Sequence, residues 1–117
     1  MKQPIRGHAF TEQLTGFVAA GELNRTERAL CWVKPSNATT SSAVFDVGLA
    51  VAELLEAAFL TNPDGAMPRQ IVVVSRERTY VAAVSATSIL VVLLSDVRRL
   101  AHTLGLLREE IARRDAA

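Results

Sequence analysis

The residues of this chain best suited to chemistry are few and scattered. They are two histidines, His8 and His102, one cysteine, Cys31, and a pair of glutamates, Glu53 and Glu56. A general base works only within hydrogen-bond reach of the proton it takes. His8 stands in an amino-terminal stretch, and His102 falls among polar positions of a helical segment with no carboxylate or nucleophile placed beside it. Zinc takes three or four clustered ligands, which two histidines and a lone cysteine do not supply. Cys31 is flanked by Ala29, Leu30, Trp32 and Val33, the setting of a buried, inert thiol. Glu53 and Glu56 stand three apart on one helix face, but a carboxylate metal site on facing helices wants a histidine in the motif. They read as an exposed or interface-edge pair. The glycines, Gly7, Gly16, Gly21, Gly48, Gly65 and Gly105, are too dispersed for a phosphate-cradling loop. No catalytic residue, no cofactor and no metal is expected.

Charge offers contacts rather than catalysis. Arg76, Glu77 and Arg78 form one polar cluster, and Arg98 and Arg99 another, either of which suits a solvated surface or a protein partner. The totals exclude other partners. With 13 basic and 12 acidic residues among 117, nothing draws the chain to nucleic acid or to an anionic membrane. Four Phe, one Trp and one Tyr are too few for a base-stacking platform. The longest unbroken apolar run, Ile89–Leu94, is far short of the ~20 residues that cross a bilayer. Met1–Phe10 lacks the apolar core of a secretory signal, and a lone cysteine suits a reducing compartment. A cytoplasmic protein follows as the expectation, with no membrane insertion.

The length allows one domain with one core. Residues 1–8 are expected to be a flexible leader, 9–114 the domain and 115–117 a tail. Phe10, Leu14, Phe17 and Val18 recur at helical spacing, so a helix is expected over Ala9–Ala20, with Thr11 near its start. Glu22–Arg28 reads as a polar turn, Ala29–Lys34 as a strand closed by Pro35, and Ser36–Ser42 as a polar loop. The last includes Asn37-Ala38-Thr39, a formal glycosylation triplet. Ala43–Phe45 is expected to be a short second strand. Asp46 is placed as the N-cap of a helix whose Val47, Val51, Leu54, Leu55, Ala58 and Phe59 recur by threes and fours. So few charges on that helix imply cover on more than one side, and Asn62-Pro63-Asp64-Gly65 ends it.

Three strands follow, Gln70–Ser75, Thr79–Val84 and Ile89–Leu94, joined by links too short for parallel crossovers. Their continuous apolar runs imply a sheet covered on both faces. Ser95 or Asp96 is expected to cap a last helix running to about Arg113, with Val97, Leu100, Leu104, Leu107 and Ile111 buried. Its wet side would carry Arg98, Arg99, Arg108, Glu109, Glu110, Arg113 and Arg114, with Glu109–Arg113 and Glu110–Arg114 as pairs four apart.

The order helix, two strands, helix, three-strand meander, helix resembles the roadblock / dynein light chain family, best from Asp46 to Arg114. QIVVVSRERTYVAAV is similar to the family's third and fourth strands, and SILVVLLSDVRRLAHTLGLLREEIARR to its fifth strand and last helix. Leu104-Gly105-Leu106-Leu107-Arg108 is similar to its closing helix. Where the family has a short glycine-containing turn between its first two strands, this reading has SNATTSS. The resemblance implies an α+β, roadblock/profilin-like α-β-β-α-β-β-β-α fold. Its five-stranded antiparallel sheet would carry two helices on one face and the middle helix on the other. It also implies dimers joined edge to edge through the third strand and middle helix, and for bacterial members a small Ras-like GTPase as partner.

The residues agree with that implication at one place: Ile71–Val74 would be a bare apolar edge, which invites pairing. The expected dimer interface is Val51, Leu54, Leu55, Ala58, Gln70, Ile71, Val72, Val73 and Val74. The expected function is a non-catalytic homodimeric regulator or scaffold that binds a small Ras-like GTPase. The alternative is a profilin-like sensory domain that binds a small molecule.

Overall fold

The computed structural model describes residues 9–116; the expected leader, residues 1–8 with His8, and Ala117 lie outside the described residues. A single 3-10 turn, Ala9–Gln13, precedes β1 (Phe17–Asn24), β2 (Leu30–Lys34), α1 (Ala38–Thr61), β3 (Gln70–Val74), β4 (Thr79–Val84), β5 (Ser88–Leu94) and α2 (Leu100–Ala116). The strands form one antiparallel sheet in the order β2-β1-β5-β4-β3. Successive strand residues point to opposite faces, so the fully buried β5 serves two cores. Leu23, Ala82, Ile89, Val91 and Leu93 pack under α1 with Val44, Val51 and Leu55. Ala20, Val81, Leu90, Val92 and Leu94 pack on the other face with Leu107 and Ile111 of α2 and with Phe10 and Leu14. The architecture is α+β, a five-stranded antiparallel sheet between helices.

The amino-terminal third departs from the sequence reading. The expected helix Ala9–Ala20 is a 3-10 turn followed by a strand, because Gly16 breaks the segment at φ 73° and Phe17–Asn24 pairs with both β2 and β5. The first hairpin is therefore β1–β2. Its turn is short: Asn24 Oδ1 accepts from the Thr26 and Glu27 amides at 2.9 and 2.8 Å, and Arg28 takes φ 54°. The polar run Ser36–Ser42 is no hairpin link. Asn37 Oδ1 accepts from the Thr40 amide at 2.8 Å, so Asn37 is the N-cap of α1. Ala43–Phe45 is helix rather than strand, and Asp46 sits exposed within the helix instead of capping it. Cys31 is exposed on β2, not buried.

The carboxyl-terminal helix also starts later than expected. Asp96 Oδ1 accepts from the Arg98 amide at 3.0 Å and Arg99 takes φ 62°, a turn that delays α2 to Leu100. Val97 is consequently 47% exposed rather than buried. Asp115 and Ala116, expected in the tail, complete the helix.

α1 comes very close to the sheet. A Cβ on Gly21 would lie 2.6 Å from Val44 Cγ1 and 2.9 Å from the Trp32 carbonyl oxygen, and one on Gly48 3.2 Å from Leu23 Cδ2. Only glycine at 21 permits this approach.

On the other face an ionic cluster fixes the end of α2. Glu22, expected in a polar turn, is buried on β1. Its Oε1 accepts from Trp32 Nε1 at 2.8 Å and from Arg114 Nη2 at 3.1 Å. Its Oε2 accepts from Ser88 Oγ at 2.5 Å and from Arg114 Nε at 3.1 Å. Arg114 Nη1 reaches Glu110 Oε1 at 3.1 Å, and Arg113 bonds Glu110 from outside. Glu110 and Arg114, expected on the wet side, are thus buried. The expected Glu109–Arg113 pair is replaced by Arg113–Glu110.

Burial pushes the Glu22 carboxyl up. The bonds from Arg114, Ser88 and Trp32 and the Arg114 charge outweigh it, and hold the group below its ordinary value of 4.5. A carboxyl depressed in the folded state stabilises it above the unfolded value and ceases to do so as pH falls through the folded one. Melting temperature is therefore expected to be level from pH 7 to about 5 and to fall below pH 4.5. Arg114→Ala leaves Glu22 and Glu110 buried without that partner, at an expected cost of about 3–5 kcal/mol. Urea melts of the variant check the cost, and a loss under 1 kcal/mol would contradict the cluster's role.

Candidate interaction surface

β3 is an edge strand whose outer side pairs with no other strand among the described residues. The Ser75 amide donates to the Arg78 carbonyl and the Val84 amide to the Arg69 carbonyl, both at 2.8 Å. In an antiparallel ladder such bonded pairs recur every second residue. With Val73 opposite Tyr80 and Ile71 opposite Ala82, the odd-numbered residues of β3 bond to β4. Gln70, Val72 and Val74 therefore turn their amides and carbonyls outward. Water satisfies such groups on a polar edge, but here the side chains are apolar. Val72, Val73 and Val74 are 37%, 52% and 65% exposed.

The two faces of this edge differ. Ile71 and Tyr80 touch the core under α1, and Val73, across from Tyr80, shares that face. Gln70 belongs to the α2 side, where its Nε2 donates to the Leu104 carbonyl at 2.8 Å. α1 lies chiefly over β1, β5 and β2, so the β3 margin of its face is thinly covered.

The nine residues expected at an interface divide. Val51 and Leu55 are buried against the subunit's own sheet, so neither is open to a second copy. Leu54 is half-exposed and Ala58 half-buried, a turn apart on a different flank of α1. Gln70 and Ile71 are half-buried, and Val72–Val74 exposed. Phe59 and Leu60, outside that set, are 54% and 74% exposed at the end of α1. The spacing of Val51, Leu54, Leu55, Ala58 and Phe59 merges two flanks of one helix. The inward flank could have been separated by noticing that Val44, Gly48, Val51, Ala52 and Leu55 form a stripe of their own.

The remaining candidates stay apart. Glu53 and Glu56 are exposed, and Glu56 Oε2 lies 3.3 Å from Arg28 Nη2. His102 is exposed on α2. Arg76, Glu77, Arg78, Arg98 and Arg99 are all exposed at the end of the sheet where the β3–β4 turn meets the end of β5. Among the described residues no three His, Cys, Asp or Glu side chains stand close enough to hold a metal ion, and no helix is long and apolar enough to cross a membrane.

No family model matches this sequence, and no curated protein matches it. Solved structures do. All of the chain superposes on all of the roadblock/LC7 domain from Streptomyces avermitilis, with a TM-score of 0.69 at 14% identity. The gliding protein MglB from Thermus thermophilus matches 90% of the chain over 82% of its own, with a TM-score of 0.65 at 15% identity. Myxococcus xanthus MglB matches 92% over 84%, with a TM-score of 0.61 at 14% identity. The chain therefore has the roadblock/LC7 fold.

The outward amides give a sharp test. Val72→Pro removes an N–H that β4 does not use, which edge strands tolerate, whereas Val73→Pro removes a ladder bond. Thermal melts are expected to show Val73→Pro less stable than Val72→Pro by about 1–3 kcal/mol. Equal losses would contradict the assigned register.

Proposed function

We propose that this chain is a non-catalytic regulatory or scaffold protein that pairs with a second copy of itself and in that form binds and modulates a small Ras-like GTPase. The observation that carries the reading is the β3 edge, apolar in side chain and open in backbone. An edge of this kind is a template for another strand. Two β3 strands set antiparallel would continue the sheet through the dimer, and the uncovered margin beside Val73 would receive apolar side chains from the partner. Leu54 and Ala58 on α1 supply the helical part of the contact.

The GTPase enters through the roadblock fold and the resemblance of Asp46–Arg114 to that family. Gliding protein MglB, among the structural neighbours, shares the fold, and one such structure is described as MglB with a tetrameric arrangement. The exposed arginines at positions 76, 78, 98 and 99 are placed to meet an acidic surface, where complementary charge speeds encounter.

Sedimentation velocity at micromolar concentration is expected to give a dimer for the native chain and a monomer for Val72→Pro. A native monomer would overturn the pairing. Affinity capture from the native host is expected to recover a small GTPase with the native chain, and its repeated absence would overturn the partner.

A further inference from the structure

A groove opens where the β1–β2 turn, the β4–β5 turn and the segment before β3 meet the carboxyl-terminal half of α1. It consists of two adjoining cavities of about 350 and 160 Å³ that share Arg25, Leu55 and Met67. Ala52 and Phe59 extend its apolar floor. The larger cavity is within the range that small ligands occupy, about 300–1,000 Å³.

The charges around it do not balance. Arg28 lies 3.3 Å from Glu56 and Arg69 3.0 Å from Asp115. Arg25 has no carboxylate within ion-pair distance among the described residues. Three guanidiniums against two carboxylates leave one positive charge, and it belongs to a half-buried side chain. Arg25 is also held in place. Its Nη1 donates to the Ser85 carbonyl at 2.7 Å and, more distantly, to that of Ala86 at 3.5 Å. No described group accepts from its Nε or Nη2. A fixed guanidinium edge with two parallel donors is the complement of a carboxylate.

We propose that this groove binds a small amphiphilic monocarboxylate. The carboxylate sits on the Nε/Nη2 edge of Arg25, and the apolar body lies over Leu55, Phe59 and Met67. The single excess charge selects a monoanion, and the floor selects an aliphatic or aromatic body over a sugar or an amino acid. The stripe Ala52, Glu56, Phe59 runs along a different flank of α1 from Leu54 and Ala58. Ligand binding therefore stands apart from self-pairing, and either holds without the other.

Octanoate is the probe, titrated into the full chain and followed by NMR at the Met67 methyl and the Arg25 Nε. Saturable shifts at both are expected. Octanamide, of the same shape without the charge, is expected to bind at least tenfold more weakly. Arg25→Gln is expected to weaken octanoate at least tenfold, while Arg76→Gln at the opposite end of the sheet leaves it unchanged. Ala52→Leu fills the floor without altering charge and is expected to abolish the shifts, which keeps the test decisive should Arg25→Gln not fold. No saturable shift with octanoate, equal binding of octanamide, or undiminished binding by Ala52→Leu would each overturn the proposal.

Discussion

A strand at the border of a sheet carries backbone donors and acceptors that something must satisfy, and the two borders of this sheet meet that demand differently. β2 presents Cys31 and Lys34 and stops at Pro35. It is polar-tipped and closed by proline, as edges facing water tend to be. β3 is three valines in a row with the outward amides of Val72 and Val74 between them. Neither a charge nor a proline interrupts it. The arrangement of everything else follows from that asymmetry, because α1 leaves the β3 margin thinly covered while it seals β1, β5 and β2.

The interior is built to hold that border still. β5 is buried along its whole length between two cores, and Glu22 ties the centre of the sheet to the last turns of α2 through Arg114. The same cluster reaches the groove beside the β4–β5 turn. Ser88, which bonds Glu22, also closes the β4–β5 turn with Ser85, and Ser85 offers the carbonyl that orients Arg25. Asp115, one residue beyond Arg114, accepts from the Ala86 amide at 2.8 Å. The buried ions thus set the geometry of the groove as well as the docking of the helix. A buried ion pair is a costly way to gain stability; here its bonds fix one register between β1, β5 and α2.

Much of the fold was legible because the signals were redundant. β3, β4 and β5 follow from apolar runs separated by short polar links, and each lies within one residue of its expected bounds. The apolar edge at Ile71–Val74 was visible for the same reason. The first third was not legible, for physical causes. Phe10, Leu14, Phe17 and Val18 satisfy a helical period by coincidence, while the real constraint on β1 is tertiary: Gly21 carries no side chain where Val44 of α1 and the Trp32 carbonyl of β2 close in. The polar run at 36–42 mimics a loop, since Ser and Thr favour turns, yet one Asn side chain capping Thr40 converts it to a helix start.

The groove and the buried cluster were hidden more completely. Glu22 looks like a surface residue until Arg114, far along the chain, is placed beside it. Arg25 gains meaning only when the turn at Ser85 folds against it. Pairings at such separation leave no periodic trace in a single sequence.

The central claim is that a second copy completes the β3 edge, and amide hydrogen exchange on the native chain tests it most directly. At high micromolar concentration the Val72 and Val74 amides are expected to exchange as slowly as the Val73 amide, which β4 already protects, and to quicken on dilution. Fast exchange at Val72 and Val74 beside a protected Val73, unchanged by concentration, would contradict the account.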